Sequence, residues 1–505
     1  ELITADGAHI IAVSIKQQAF QMGGGSSRSV QSLASFQKCT AQLTIGEFLV
    51  QFFFLKTACG FFLGVLIWFA LSFLEQVQLC WMVTAAALAV EYFLHTTIPA
   101  QSVLSPLRYV NVFSYVFTSR IYTEYVNLNF FTYPVGKSTM LLALLLIGTI
   151  VLTTVIVVLM PKRYPFGNRD LLGKWVNLWN RVKDPVLRKL GMFGFEWYKQ
   201  LFMTAGGLVL VLGLLISSDL PLNSGAYNRI EDSLYRQYMA QIQGPVTQST
   251  HDYIAQAKAS LEGLEINRAE FEAALNRLEQ TVGDLPEGAW LVDDTMFLNI
   301  YGSESWYTQR NTALIALLIL CASLSSLFAP EQNADLRRML HSTPRGREKL
   351  FRTKYGVAVG ITVLVWLMVF VQEWRTATET LGETILSAPC SSIGMLKGCS
   401  GTVGGFMTAL CISKGVVLVI PMNLCAFIAV RSERFEKAFL FSGVLLLIPA
   451  AAFRFGVHML QFLTPMYFAA DGNLLSATNN FVPFASWMFI SVLAIFAAKH
   501  RWSRA

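Results

Sequence analysis

The sequence predicts an all-α fold: a polytopic bundle of transmembrane helices that carries one sizeable helical segment outside the bilayer. Three observations carry that expectation. Of 505 residues, 54% are hydrophobic and only 14% are charged, where an ordinary globular chain has about 25% charged. Apolar runs repeatedly reach the roughly 18–20 residues that a helix needs to cross a bilayer. Between those runs Lys and Arg collect in alternate connections, the pattern that sets orientation in a membrane.

About nine spans are expected, at 45–71, 77–97, 138–160, 201–217, 311–328, 355–371, 403–430, 438–462 and 482–498, each helical because lipid offers the backbone no partner. The connection 161–200 holds nine basic residues and 329–354 holds seven. Arg431, Arg434 and Lys437 follow in a short link, and Lys499, Arg501 and Arg504 in the tail. Alternation across the spans puts all four on one side, which the positive-inside rule makes cytoplasmic.

Residues 218–310 then fall outside, as the one large soluble insertion. Between Asp219 and Glu304 they carry fourteen acidic residues against five basic ones. Helical apolar spacing over 227–243 and 250–280, with a Gly244-Pro245 turn between, predicts two antiparallel helices. The acidic face reads as solvated surface.

An internal repeat organises the rest. Ile45-Gly46-Glu47-Phe48, Lys56 and Glu75 line up with Val403-Gly404-Gly405-Phe406, Lys414 and Glu433, and Cys39 and Cys399 precede the two segments. Residues 30–163 thus resemble 390–505, in parallel orientation. The division expected is 1–163 as the C-terminal part of a first transmembrane half, 164–200 as a cytoplasmic linker, and 201–505 as a second, six-span half. Because the chain starts at Glu1 and the first copy lacks the three spans that precede the second, further spans are expected upstream.

The loop Phe328–Gly356 reads FAPEQNADLRRMLHSTPRGREKLFRTKYG. Leu336, Met339 and Leu340 form a short apolar stripe, flanked by Arg337, Arg338 and His341, and Pro344 stops the helix. A stripe with charges beside it suits a protein partner; the plainer reading is a basic loop that only sets topology. This stretch resembles the cytoplasmic loop between the second and third spans of type-2 ATP-binding-cassette exporter permeases. The matching positions are Glu331, Leu336, Leu340, Ser342, Thr343, Pro344, Arg345, Arg347 and Lys354. The resemblance implies a coupling helix that docks on an ATPase subunit, with Arg337 and Arg338 beside it. It also implies a cytoplasmic ATP-binding-cassette ATPase as partner, present in two copies, with ATP and Mg bound there and no cofactor on this chain. Phe193–Lys199, rich in aromatics before the span at 201, is similar to the surface-lying elbow helix of that family. The large insertion at 218–310 departs from its compact members.

Val135-Gly136-Lys137-Ser138-Thr139 imitates a phosphate loop, but Phe131 stands where the pattern needs Gly, and an external position does not suit ATP. Lys56 and Lys414 occupy equivalent places roughly 16 Å into their spans, where a charge costs at least about 2.5 kcal/mol unless it faces the bundle interior or water. With Glu91, Arg454 and His458 they are the candidate translocation path, or else structural ion pairs. Cys390 and Cys399 share one external loop and are a disulfide candidate. Cys59, Cys321, Cys411 and Cys425 sit in apolar runs as small hydrophobes. No spacing of Cys and His points to a metal, and no catalytic triad or zinc motif appears. The net charge of +7 is spread over helix ends and does not form a nucleic-acid patch.

The reading is therefore a transport permease of a bacterial cytoplasmic membrane rather than an enzyme. It would move a hydrophobic or peptide-like substrate outward, with energy from a separate ATPase. The alternative is a membrane sensor or immunity protein whose external helices bind a peptide; a membrane-embedded enzyme is the third reading.

Overall fold

A computed structural model describes residues 27–32, 36, 39, 42–73, 77–99, 102–116, 118, 120–123, 126–130, 133–163, 181, 189–204, 206–218, 230–263, 268–285, 289–302, 306–328, 342, 347–396, 399–432, 434–455, 457–470 and 480–504. The chain divides into two compact units, Glu1–Leu212 and Gly213–Ala505. Both are dominated by helices.

Among the described residues, seven helices are long and apolar enough to cross a membrane: Ile45–Phe69, Lys137–Val158, Thr308–Phe328, Glu348–Ser387, Val403–Arg431, Phe435–Arg454 and Phe481–Arg504. The chain is a multi-pass membrane protein. Large apolar side chains such as Phe53, Phe61, Leu146, Phe489 and Phe496 are more than 60% exposed on these helices, which is tolerable where lipid rather than water covers them.

The expected span at 77–97 is helical throughout, Val77–Thr97; the one at 201–217 comes out differently. It is the second arm of a bent pair, Met192–Met203 and Gly206–Ser217, meeting at 69°. The bend brings Gly207 so close to the preceding turn that a Cβ there would stand 2.1 Å from Leu201 O.

The first unit contains α1 (Ile45–Phe73), α2 (Val77–Thr97), a hairpin of β1 (Asn127–Phe130) and β2 (Tyr133–Gly136), α3 (Lys137–Arg163), α4 (Met192–Tyr198) and most of α5 (Gly206–Ser218). Phe62, Tyr115 and Leu141 pack α1 against α3, and Tyr115 Oη donates to Leu141 O at 3.1 Å. The antiparallel hairpin was not expected in an all-α chain. It places a strand directly before Lys137, but that lysine is buried 5.0 Å from the Tyr109 ring centroid.

In the second unit residues 230–301 form a small bundle of α6 (Ile230–Ile242), β3 (Gly244–Pro245), α7 (Gln248–Ala259), α8 (Arg268–Gly283), β4 (Trp290–Leu291) and α9 (Thr295–Tyr301). Three longer helices replace the two expected. The 250–280 run breaks at the 3₁₀ turn Ser260–Gly263. Gly244-Pro245 is a strand paired with Trp290-Leu291, not a simple turn; Gly244 adopts φ +134° there, a conformation that favours glycine. Tyr235, Met239, Ile254, Leu275 and Leu278 form the bundle's own core.

The membrane helices of this unit are α10 (Trp306–Phe328), α11 (Glu348–Trp366), α12 (Gln372–Ser387), α13 (Val403–Val417), α14 (Val419–Arg431), α15 (Phe435–Ser442), α16 (Ile448–Arg454) and α17 (Phe481–Arg504). A π-helical turn, Leu367–Val371, joins α11 to α12, and the helix runs on past 371, where the span was expected to end, as far as a kink at Gly382. Ala377, Leu381 and Ile385 continue the buried stripe, and the helix is bent at Gly382, with φ +77°. The expected 438–462 span stops at Arg454, and a 3₁₀ turn, His458–Leu463, follows.

The repeat read from the sequence recurs in the backbone. Ser29 bridges Thr44, and Pro389 bridges Thr402. Val30 N donates to Leu43 O, Ile45 N to Arg28 O and Cys39 N to Phe36 O. In the second unit Cys390 N donates to Gly401 O, Val403 N to Ala388 O and Cys399 N to Leu396 O. Thr44 and Thr402 each cap the following helix, accepting from Glu47 N at 3.3 Å and Gly405 N at 3.2 Å. The same folded loop thus precedes α1 and α13.

Candidate functional site

The membrane helices of the second unit bury an ion pair. Lys414 Nζ lies 2.8 Å from Glu373 Oε1, with side chains only 3% and 8% exposed. Lys414 sits on α13, eleven residues past its start. Glu373 lies on the second residue of α12, just after the π turn. That turn supplies more than position. Its wider winding releases carbonyls from the regular ladder, and Cys411 Sγ of α13 approaches Phe370 O at 3.6 Å. Trp366 Nε1 donates to Cys411 O at 2.9 Å, with its indole against Gly415, where a Cβ would meet Nε1 at 2.9 Å. The two helices are stitched together on both sides of the pair.

Aromatic groups surround it. Lys414 Nζ is 5.3 Å from the Phe370 ring centroid, a cation–π contact that low-dielectric surroundings strengthen. Tyr301, at the end of α9, has its phenol pushed well above the ordinary value by burial, and further by the negative charge of Glu373; it stays a neutral hydroxyl. Among the described residues, the second carboxylate oxygen, Glu373 Oε2, and the neighbouring indole Nε1 of Trp374 are buried without hydrogen-bond partners. Leaving such a group unpaired costs about 1–3 kcal/mol.

The other path candidates are dispersed. In the first unit Lys56 is buried on α1, and Glu91 Oε2 accepts from Val112 N at 2.9 Å. In the second, Arg454 is buried, its Nε donating to Asn311 Oδ1 and its guanidinium 5.6 Å from the Phe455 ring centroid. His458 begins the 3₁₀ turn after it. Lys414 has Glu373 as its ionic partner, a residue that the sequence reading missed. The signal was present: Ala377, Leu381 and Ile385 recur every fourth residue, so the helix had to continue past Glu373.

Cys390 and Cys399 are separate thiols in one loop. Cys390 is in the apolar cluster that joins α9, α12 and α13, and Cys399 packs against it. Burial raises the Cys390 thiol above its usual range, with Cys399 adding to the effect.

Of the coupling-loop residues, Glu331, Leu336, Arg337, Arg338, Leu340, Thr343, Pro344 and Arg345 lie outside the described residues. Ser342 is described, in an exposed turn. Lys354, beyond the loop, is fully buried and donates through Nζ to Leu327 O at 2.7 Å. It caps the C-terminal carbonyls of α10 with a cation, the sign that end of a helix favours.

Comparison of the chain with protein-family models, with curated proteins and with solved structures finds no match.

Proposed function

We propose that this chain is the permease of an ATP-driven exporter in a bacterial cytoplasmic membrane, energised by a separate cytoplasmic ATPase bound in two copies. In this reading residues 201–505 are a six-span half, residues 1–163 are the end of a companion half, and 218–310 stand outside. The observation that carries it is the sequence between α10 and α11, in which Leu336, Met339 and Leu340 recur at helical spacing with Arg337 and Arg338 beside them. It connects two membrane helices whose facing ends are tied by the buried Lys354. The recurrence of one capped loop before α1 and α13 supports two related halves. Closure of the ATPases on ATP displaces the coupling loop and shifts the halves between inward-open and outward-open states. The Glu373–Lys414 pair lies on the substrate path, where its unpaired carboxylate oxygen can take a donor from a passing molecule.

Two measurements test this. The ATPase should co-purify with the permease, and proteoliposomes of the complex should show transport that depends on ATP. A permease that retains no ATPase, or an ATPase whose turnover ignores every candidate substrate, argues against the reading. The compact bundle at 230–301 favours a second reading, a sensor that binds a peptide there. Saturable peptide binding to the purified protein, with no transport, would support that reading instead.

A further inference from the structure

The ends of the 329–346 loop are held by a third helix as well as by the two helices that the loop joins. Phe328 closes α10 and Arg347 precedes α11. Trp502, in the last turn of α17, is 2% exposed, and its Nε1 donates to Arg347 O at 2.8 Å. Its ring stands edge-on to Phe328, centroids 5.8 Å apart at 76°. It also lies 6.3 Å from Phe351 of α11, while Phe328 and Phe351 are themselves 5.6 Å apart. Three rings from three helices close a triangle. One turn earlier on α17, Lys499 Nζ reaches Glu348 Oε1 at 2.9 Å, an oxygen it shares with Arg352 at 2.9 Å.

The surroundings make this more than incidental packing. Trp502 lies in a turn that also holds the charged Arg501 and Arg504 and that is otherwise exposed. A large amphipathic ring buried there needs both apolar walls and an acceptor for its N–H, and it has both. The N–H falls on the carbonyl of Arg347, the residue just before α11, the position at which a loop would otherwise pivot. Lys354, also buried, holds the opposite end through Leu327 O.

We propose that Trp502, with Phe328, Phe351 and Lys499, forms a clasp that makes α17 move as one body with both ends of the loop. A push on the loop from a cytoplasmic partner then passes directly to the last membrane helix and is not absorbed by rotation at Phe328 or Arg347. Trp502 is a positioning residue here, and the transmission role rests on the coupling reading above.

The test has two arms. In the first, spin labels at Ser342→Cys and Ser503→Cys in the full chain, with the native thiols replaced, report the distance distribution between loop and α17. Trp502→Ala should broaden it clearly. Trp502→Phe keeps a ring but loses the N–H, and should broaden it less, since one hydrogen bond shifts a two-state balance by about two- to tenfold. An unchanged distribution in either correctly inserted variant overturns the clasp. In the second arm, transport per ATP hydrolysed is measured in the reconstituted complex. Trp502→Phe should keep ATPase binding and ATP turnover while lowering transport per ATP. Broadened distances with unchanged transport per ATP would make the clasp merely structural and overturn the transmission role. If the wild-type permease binds no ATPase, the coupling reading fails and transmission with it, while the label distances still decide whether the clasp exists.

Discussion

Breaking the Glu373–Lys414 pair from one side should cost far more than removing both charges. At 2.8 Å and an effective dielectric constant near 20, the Coulomb attraction is about 6 kcal/mol. Desolvation of two nearly buried groups offsets much of that, but the loss is one-sided when a single partner goes. Glu373→Gln leaves an ammonium facing Phe370, and Lys414→Met leaves a carboxylate whose Oε2 already lacks a partner. Each should destabilise the protein by about 3–5 kcal/mol, the range for orphaning a buried charge. The double variant, Glu373→Gln with Lys414→Met, should cost less than either single change, because no charge remains buried. Unfolding of purified protein by a denaturing detergent in mixed micelles, followed by near-ultraviolet circular dichroism, gives the three differences and closes the cycle. Single variants within about 0.5 kcal/mol of wild type, or a double variant equal to the sum of the singles, would refute the claim that the two charges depend on each other.

Topology is tested by cysteine accessibility: Ser260→Cys should label from outside and Ser342→Cys only after permeabilisation, both positions being exposed, and labelling of Ser342→Cys from outside reverses the orientation. Cys390 and Cys399, separate thiols packed on one apolar cluster in the structure, should become linked once their loop meets an oxidising compartment, which mass spectrometry of non-reduced protein taken from its membrane checks; alkylation of both thiols in folded protein would exclude the bond. Leu340→Asp, or Arg337→Glu with Arg338→Glu, should reduce retention of the ATPase on purified permease by at least about tenfold, since a charge at the centre of a docked apolar face costs about 2 kcal/mol. Equal retention at equal expression would leave the loop a topology signal.

The membrane helices were legible because lipid solvation demands long apolar runs, and Ile45–Phe69, Lys137–Val158 and Phe481–Arg504 meet that demand without help from neighbours. The repeat was legible for a related reason: equivalent positions such as Lys56 and Lys414 are rare residues in their runs. Elements whose form depends on a distant partner were not. Gly244-Pro245 reads as a turn until Trp290-Leu291 pairs with it. Asn127–Gly136 has no reason to be a hairpin except its own pairing. The continuation through Glu373 was hidden because Gln372-Glu373 looks like a polar span end, and only the spacing beyond it shows that the helix persists. The role of Trp502 depends on a backbone carbonyl 155 positions away, which no local pattern could announce.

The π turn at Leu367–Val371 sets the angular phase of everything after it. An extra residue in one turn rotates the remainder of a helix by about 100° relative to a regular winding. Before the turn the buried face of α11 runs through Lys354, Val357, Ile361 and Val365. Beyond it Ala377, Leu381 and Ile385 carry the buried face at steps of four, and Glu373 falls one such step before Ala377. The meeting of Glu373 with Lys414 is therefore governed by how many residues the turn contains rather than by which ones. Replacing Met368 by Leu leaves the count intact and the carboxylate on target. Deleting Met368 should restore a regular winding, turn Glu373 by about 100° away from Lys414 and separate the charges without altering any residue that touches them. The helix behaves here as a length code, tolerant of spelling and intolerant of omission.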